Sequence, residues 1–277
     1  MKKEQKYLTI RKQEVVKANE LIQKSCFSLS TIQQKIVLYL IAQIKPTDED
    51  FKKYDFYVRD FCRICDIDYD NGGNYKMLKN EIKKIRDQSV FVKLPNGVET
   101  TFSWIAKPYF HEKSGLVEIR LDEDLKPLLL QLKGGFTHYE LIYTLQFRSK
   151  FSIRLYELIK SIHYHDLEDY SYTYKIEDLK RLMDAENYKT FQHFRDRALD
   201  IAVKEINQYS DKLLSYVDIR EGLKVVKIMF TIKTKDIIDV LKMRIELDKR
   251  MGIDPNQMSL FEEVVAEEPV AEPTEQQ

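Results

Sequence analysis

Apolar residues recur at helical spacing and then in alternation, and this succession occurs twice along the chain. Ser30 opens the clearest helix, because Gln33 follows it at the spacing of a capping box. The first half is predicted to contain helices over residues 11–24, 30–45, 58–65 and 74–87 and strands over residues 54–57, 89–94, 99–107 and 116–121. Two helices followed by a hairpin, here turning at Pro95-Asn96-Gly97, are the order of a winged helix-turn-helix.

After helices near residues 122–132 and 150–163, the second half repeats this order. It is predicted to contain helices over residues 177–184, 188–209 and 236–251 and strands over residues 172–176, 213–219 and 224–233. Residues 58–66 align with residues 176–184 and share an Asp, an Arg and a final Asp. We therefore predict an α+β protein of two tandem winged helix-turn-helix domains, residues 1–133 and 134–252, and a disordered acidic C-terminal tail over residues 253–277.

The charges balance overall but not locally. The 277 residues hold 45 Lys or Arg and 45 Asp or Glu, but residues 256–277 contain six acids and no base. Three segments, residues 1–24, 74–93 and 188–235, each carry four more bases than acids. Such clusters indicate contacts with an anionic partner, and the alternative is an ordinary charged surface with patches.

Composition restricts the class of protein further. The 17 Tyr and 14 Phe supply apolar surface for more than one core. No apolar run approaches the roughly 18 residues of a membrane span, and the basic N-terminus leads into no apolar segment of a secretory signal. Three cysteines do not make a disulfide framework, so we expect a cytoplasmic protein.

Several passages together are characteristic of one family. They are Ser28–Ser30 with Gln34–Ile41, Tyr143–Leu158, and Phe194–Asn207 with Ile228–Phe230. In order and spacing, over about residues 8–250, they resemble the iteron-binding plasmid replication initiators, bacterial Rep proteins built from two winged-helix domains. The resemblance implies binding of double-stranded DNA at direct repeats (iterons) of a plasmid origin, opening of that origin, and recruitment of the host replicative helicase and initiator. It also implies monomers that initiate and dimers that repress the initiator's own gene.

The helix predicted from Tyr188 is the best candidate for reading the major groove. Its inner face is predicted to contain Phe191, Phe194, Ala198, Ile201 and Ala202, and its polar first turns carry Lys189, Thr190, Gln192, His193, Arg195, Asp196 and Arg197. Arg suits guanine, Gln suits adenine and Asp accepts from cytosine, whereas Lys189 and Thr190 are expected to hold phosphates. The alternative is a solvated helix face with ordinary ion pairs.

Further basic residues lie near both predicted wings. Arg220, Lys224 and Lys227 place positive charge at or near the second wing tip. In the first domain, Lys76, Lys79, Lys83 and Arg86 would make a second, weaker DNA contact. A dimer interface explains the first domain equally well, because the strands of residues 90–104 could pair with another subunit. We therefore assign the main iteron contact to the C-terminal domain.

The acidic tail carries a short motif formed by Gln257, Met258, Ser259, Leu260 and Phe261. It resembles the pentapeptide with which bacterial polymerases and their partners bind the sliding clamp. Leu260 and Phe261 would fill an apolar pocket, and Gln257 would form a hydrogen bond at its rim. The alternative is the remnant of a terminal helix that packs on the rest of the chain.

Candidate catalytic and metal-binding groups are few. Cys62 and Cys65 form a single CxxC, and no second pair supplies the other ligands of a zinc site. His163 and His165 suit the metal site of a rolling-circle nickase, but positions i and i+2 of a helix do not face together. The chain has no P-loop motif. We predict a non-enzymatic protein with no catalytic or metal site and no cofactor, and the alternatives are that nickase and a plain winged-helix repressor.

Overall fold

The computed structural model describes residues 6, 9–68, 73–93, 98–162 and 169–250. The chain divides into two compact units, residues 1–235 and residues 236–277. The described part of the first unit contains every strand given below, and the second unit contributes one helix, Ile237–Arg250.

The elements follow one another in two similar series. The helices are α1 (Asn19–Gln23), α2 (Thr31–Ile41), α3 (Val58–Ile64), α4 (Gly73–Asp87), α5 (Lys126–Leu129), α6 (Ile142–Leu145), α7 (Lys150–Ser161), α8 (Ile176–Leu182), α9 (Phe191–Phe194), α10 (Asp200–Tyr209) and α11 (Ile237–Arg250). The strands are β1 (Glu14–Ala18), β2 (Ser25–Cys26), β3 (Tyr54–Tyr57), β4 (Ser89–Lys93), β5 (Glu99–Ser103), β6 (Ile105–His111), β7 (Leu116–Leu121), β8 (Phe136–Glu140), β9 (Asp169–Lys175), β10 (Lys212–Glu221) and β11 (Lys224–Thr234). A 3-10 turn, Glu123–Leu125, precedes α5, and a π-helical turn, Arg195–Leu199, joins α9 to α10.

Two three-stranded antiparallel sheets have the same topology. Strand β7 lies between β3 and β6, and β11 lies between β9 and β10. In each module the first strand runs directly into a short helix, and a longer helical segment and a hairpin follow. The inner faces bury alternate residues, such as Val117 and Ile119 of β7 and Ile228 and Phe230 of β11. The predicted pair of tandem winged-helix modules is therefore present in the fold.

The prediction of the first wing is wrong in its second strand. Residues 99–107 divide at Trp104, so that β5 pairs with β4, whereas β6 pairs with β7. The Trp104 side chain is buried and meets the rings of Phe27 and Phe102 edge to face. Burial of this large ring favours the crossing from one sheet to the other at this point.

The first wing is instead the β6–β7 hairpin. Its turn ends at Gly115, which has a φ of +67°, and the β10–β11 turn contains Gly222, with a φ of +60°. The β4–β5 hairpin is inserted between α4 and this wing and forms a separate sheet in the order β2-β4-β5. Repetition of the module therefore becomes clear only when the inserted hairpin is set aside.

The predicted helix over residues 11–24 is also partly wrong. Glu14–Ala18 forms β1, which pairs antiparallel with β8, and this strand separates the helical residues 11 and 12 from the helix Asn19–Gln23. Val15 and Lys17 are both buried, as alternation in a strand requires. The predicted domain boundary between residues 133 and 134 falls just before β8, whose partner strand lies in the N-terminal part, and that boundary stays a prediction.

A buried ionic group, which we call the junction cluster, joins the modules around α7. Glu157 Oε1 lies 2.6 Å from Lys17 Nζ and accepts from the Tyr139 hydroxyl at 2.6 Å. Arg154 Nη1 lies 3.5 Å from Glu157 Oε2, and Arg154 Nε donates to the Leu182 carbonyl of α8 at 3.0 Å. Burial favours a higher pKa for Glu157, but the charges of Lys17 and Arg154 outweigh it and lower the pKa.

Candidate nucleic-acid interface

The helical segment predicted as the recognition helix begins later than its sequence pattern indicates. Thr190 is the N-cap, because its hydroxyl oxygen accepts from the His193 amide at 3.2 Å, and the first helical residue is Phe191. Lys189 therefore precedes the helix instead of lying on its first turn. This position places the Lys189 side chain beside the helix start, where backbone amide groups and positive charge favour an anion.

A π-helical turn over Arg195–Leu199 changes the inner face of this segment. Phe194 and Ala198 are buried as predicted, and Leu199 joins them in the core. Ile201, predicted to lie inside, is exposed. The extra residue of a π turn rotates all following positions about the helix axis, and a regular 3.6-residue period does not anticipate it.

Three of the side chains predicted to read bases form hydrogen bonds with one another. The Asp196 carboxylate accepts from Gln192 Nε2 at 2.7 and 2.9 Å and from Arg195 Nε at 3.4 Å. Arg195 Nη2 donates to Gln192 Oε1 at 2.8 Å. A planar guanidinium, an amide and a carboxylate are thus presented together on one exposed face near the start of the helix.

The second wing is a long, regular hairpin. Strands β10 and β11 pair from Lys212 opposite Thr234 to Glu221 opposite Lys224, with one irregularity in register, at Ile219. The connecting loop has two residues, of which the first, Gly222, has a positive φ, as in a type II′ turn. Near this tip Arg220 Nη2 lies 2.7 Å from Asp218 Oδ2, and the hydrogen bond from Arg220 lowers the pKa of Asp218.

A groove of about 530 Å³ lies between the starts of α8 and α9 and the tip of the second wing. It is lined by Ile176, Glu177, Lys180, Lys189, Phe191, Gln192, Arg220, Leu223, Lys224 and Val225. Four of these side chains are cations and one is a carboxylate. We call this feature the basic groove. It brings together four of the predicted DNA-binding residues: Lys189, Gln192, Arg220 and Lys224.

Lys180 is the groove cation that sequence reasoning missed. Its Nζ donates to the Tyr188 carbonyl at 2.7 Å and lies 5.6 Å from the centre of the Phe194 ring. Burial lowers the pKa of Lys180, and the charge of Lys189 lowers it further. The available signal was its alignment with Cys62, which is fully buried in the first module. A lysine at a position that the other module uses for packing suggests a separate role.

Other predicted residues lie outside the basic groove. His193 and Arg197 are exposed on the helical segment. Lys227 is exposed on β11, where it lies opposite Ile219 of β10 and Lys175 of β9. The structure therefore separates the predicted set into a groove group and a peripheral group.

The corresponding face of the first module also carries ion pairs. Lys79 pairs with Glu112 beside the first wing turn, and its Nζ lies 5.3 Å from the centre of the Phe110 ring. Lys83 lies 6.0 Å from the same ring, and Arg86 Nη1 lies 3.0 Å from Asp87. These three residues and the exposed Lys76 all lie on α4, as predicted.

The CxxC cysteines, Cys62 and Cys65, are both buried, and burial raises the pKa of the Cys65 thiol to about 12. Across the described residues, no three or more His, Cys, Asp or Glu side chains are grouped as a metal site requires. Within the same residues, no helix combines the length and apolar character of a membrane span. His163, His165, the clamp-like pentapeptide and the whole predicted tail lie outside the described residues.

Strand, short helix, longer helix and hairpin thus define each module as a winged helix, and the chain is a protein with two of them in tandem. Residues 14–160 match the family model of the initiator replication protein, WH1, and residues 175–232 match that of the initiator Rep protein, WH2. The chain therefore belongs to the family of initiator replication proteins, which confirms the family read from its sequence motifs.

Individual proteins agree with this assignment. The chain is 26% identical over 247 residues to a replication initiation protein of Escherichia coli, an alignment that covers 86% of this chain and 71% of the relative. The crystal structure of the Pi initiator protein in complex with iteron DNA is similar, with a TM-score of 0.65 and 18% identity over 82% of this chain and 99% of that chain. The structural similarity supports the tandem winged-helix fold.

Proposed function

We propose that this protein binds direct repeats at a plasmid origin and thereby starts replication of the plasmid. The observation that carries the proposal is the basic groove, in which cations from three separate segments converge on one surface: Lys180, Lys189, and Arg220 with Lys224. A DNA backbone presents closely spaced phosphates, and neutralising them supplies a large share of binding free energy. Membership of the initiator family and the DNA in the Pi complex support this choice of ligand.

The start of the helical segment would enter the major groove while the second wing follows the flanking backbone. The N-terminal residues of a recognition helix are those that reach base edges. Arg195 and Gln192 would then exchange their mutual hydrogen bond for bonds to guanine or adenine, and Asp196 would hold the pair in place or accept from cytosine. Lys189 and the wing cations would hold phosphates and fix the register.

The first module would make a secondary DNA contact and provide a dimer interface. In the described sheet β2-β4-β5, strand β5 lies at an edge, and the Phe91 side chain of β4 is 61% exposed. An edge strand with a neighbouring exposed ring suits pairing with a second copy of the chain. Dimers would repress the gene of the protein, and monomers in equilibrium with them would occupy the repeats.

Membership of the family supports the remaining proposed roles. Bound monomers would promote opening of the origin and recruit the host replicative helicase and initiator. The pentapeptide of residues 257–261 would add contact with the sliding clamp. We propose that the protein acts in this way without catalysing a reaction of its own.

Footprinting of the full chain on DNA upstream of its own coding sequence tests the proposal. We expect phased protection of direct repeats, intact strands with and without Mg²⁺ or Mn²⁺, and affinity that falls as salt rises. Arg195→Ala should weaken specific binding by about 1–3 kcal/mol if the guanidinium reads a base edge. A site-specific, metal-dependent nick that disappears in His163→Ala would instead establish the nickase.

A further inference from the structure

Leu223 is an apolar residue whose side chain does not pack within its own module. It is 97% exposed, the highest value among the large hydrophobic side chains of the described residues. Single exposed leucines are ordinary on protein surfaces. This leucine differs because it forms the tip of the second wing and lines the basic groove together with Arg220 and Lys224.

The hairpin holds Leu223 in a defined position. Strand β11 pairs with β10 up to the turn and with β9 from Lys227 to Lys233, so the base of the wing is anchored on both sides. The loop contains only Gly222 and Leu223, and the glycine occupies the position of a II′ turn that requires a positive φ. A two-residue turn leaves little freedom to its second residue, so the leucine side chain is presented in a restricted direction.

The first wing makes an informative contrast. Its turn contains the polar residues Glu112, Lys113 and Ser114 before Gly115, and the Glu112 carboxylate pairs with Lys79 of α4. That wing tip is therefore attached to its own module by a charged pair. The second wing is also paired with its own module, because Lys224 Nζ lies 3.6 Å from Glu177 Oε1 of α8, but its turn carries a leucine where the first wing carries polar side chains. The two tips therefore suit different environments.

We propose that Leu223 inserts into the minor groove of the bound duplex and packs as an apolar wedge against the bases there. This inference rests on the proposed DNA-binding function. Phosphates offer no favourable contact to an alkyl group, whereas sugars and base faces do. The minor groove is only about 6 Å wide, so it accepts a side chain from a hairpin tip but not a helix.

The neighbouring charges fit this placement. Lys224 follows the leucine on β11, and Arg220 lies on β10 one residue before Glu221, which is the residue opposite Lys224. Lys224 and Arg220 would contact the phosphate chains on either side of the groove. Apolar wedges in the minor groove partly unstack a base step and bend the duplex toward the major groove. Leu223 would therefore favour easily deformed steps, such as TA or CA, at a fixed distance from the bases read by the helix.

Binding and bending measurements on one duplex test the wedge. The probe is the duplex that the wild-type full chain selects from a random library, labelled at both ends for energy transfer and titrated at several salt concentrations. Leu223→Ala should weaken binding about 5- to 20-fold, reduce the bend and leave the salt slope unchanged, because no charge is removed. Leu223→Met should retain most of the affinity and the bend.

Two further variants control for the hairpin and for charge. Leu213→Ala removes another exposed leucine of β10, at the end of the hairpin away from the tip, and should bind like the wild type. Lys224→Ala should lower the salt slope by about one. Equal behaviour of Leu223→Ala and Leu213→Ala, or an unchanged bend in Leu223→Ala, overturns the wedge while specific binding stands. Failure of the wild type to select any duplex overturns the proposed function and the wedge with it.

Discussion

Asp66 and Asp184 occupy equivalent positions in the two modules and adopt the same left-handed backbone conformation, each with a φ of +54°. Each follows a short helix, α3 or α8, and its amide donates to the carbonyl of the arginine three residues earlier, Arg63 or Arg181. Asp is one of the few side chains that tolerate this conformation. The repetition of the module therefore extends to a single backbone angle.

The two carboxylates nevertheless have different surroundings. The Asp184 carboxylate accepts from the Ser28 hydroxyl at 2.8 Å and pairs with Lys150 of α7. The described residues show no such hydrogen bond or ion pair for Asp66. Asp66 therefore only ends a helix, whereas Asp184 also ties the second module to the first.

This difference predicts unequal effects of the same substitution. Asp184→Gly should lower the free energy of unfolding by about 1–2 kcal/mol, because it removes bonds from a hydroxyl and an ammonium group. Asp66→Gly should change it by no more than about 0.5 kcal/mol, since glycine relieves the positive φ and gains a similar freedom in the unfolded chain. Urea denaturation of both variants measures the difference. Equal losses would show that the contacts of Asp184 contribute nothing.

Breaking the junction cluster should cause a larger loss of free energy of unfolding. Glu157→Gln leaves Lys17 and Arg154 buried with their charges uncompensated, which should destabilise the chain by about 3–5 kcal/mol. The matched control is Glu20→Gln, which breaks an exposed pair with Lys24 one helical turn away and should cost less than about 0.5 kcal/mol. Thermal unfolding followed by circular dichroism distinguishes them, and a small loss in Glu157→Gln would contradict a structural role of the cluster.

The same carboxylate predicts a dependence of stability on pH. The pKa of Glu157 is lowered in the folded chain, so the unfolded state binds more protons as the pH falls. Its stabilising contribution is complete above the ordinary glutamate pKa of about 4.3 and is lost as the pH falls through the lowered value. Denaturant titrations should therefore show a steeper acid loss in the wild type than in Glu157→Gln. Parallel curves for the two proteins would be inconsistent with this assignment.

Local sequence signals predicted the elements whose structure depends on neighbouring residues. The Ser30–Gln33 capping box forms as expected, with both reciprocal hydrogen bonds present. Strand β3 and the short helix α3 lie within a residue of their predicted limits. The alternation in β11 gives its buried face, because every second residue of a half-buried strand turns inward.

Contacts between distant segments account for what the sequence pattern did not reveal. Strand β1 forms because it pairs with β8, and the local spacing of apolar residues does not predict this pairing. Burial of Trp104 divides a predicted strand between two sheets, and the π turn at Arg195–Leu199 rotates Ile201 outward. At the candidate site, sequence reasoning found the charged helix and the wing, whereas Lys180 joins them only through tertiary packing.

Lys180 supplies a prediction about the groove itself. Because burial already lowers the pKa of its ammonium group, Lys180→Gln should leave the fold stable and weaken binding to the selected duplex. The slope of log affinity against log salt should become less steep by about one if a phosphate contact is lost. Lys52→Gln, an exposed lysine of the first module paired with Asp48, is the control and should leave the slope unchanged. Identical slopes in both variants would remove Lys180 from the interface.

The contributions of the two modules to DNA binding can be compared at one lysine of each. Lys189 lines the basic groove, whereas Lys79 is held by Glu112 and contacts the Phe110 ring. Lys189→Ala should therefore weaken DNA binding by about 3- to 10-fold, and Lys79→Ala by less than about 2-fold.

Glu112→Gln then decides whether the first module contacts DNA at all. This variant frees the Lys79 ammonium without removing it, so affinity should rise and the salt slope should steepen if phosphates pass over α4. Anisotropy titrations of the three variants, Lys189→Ala, Lys79→Ala and Glu112→Gln, on one duplex give the comparison. A larger loss in Lys79→Ala than in Lys189→Ala would assign the main contact to the first module instead.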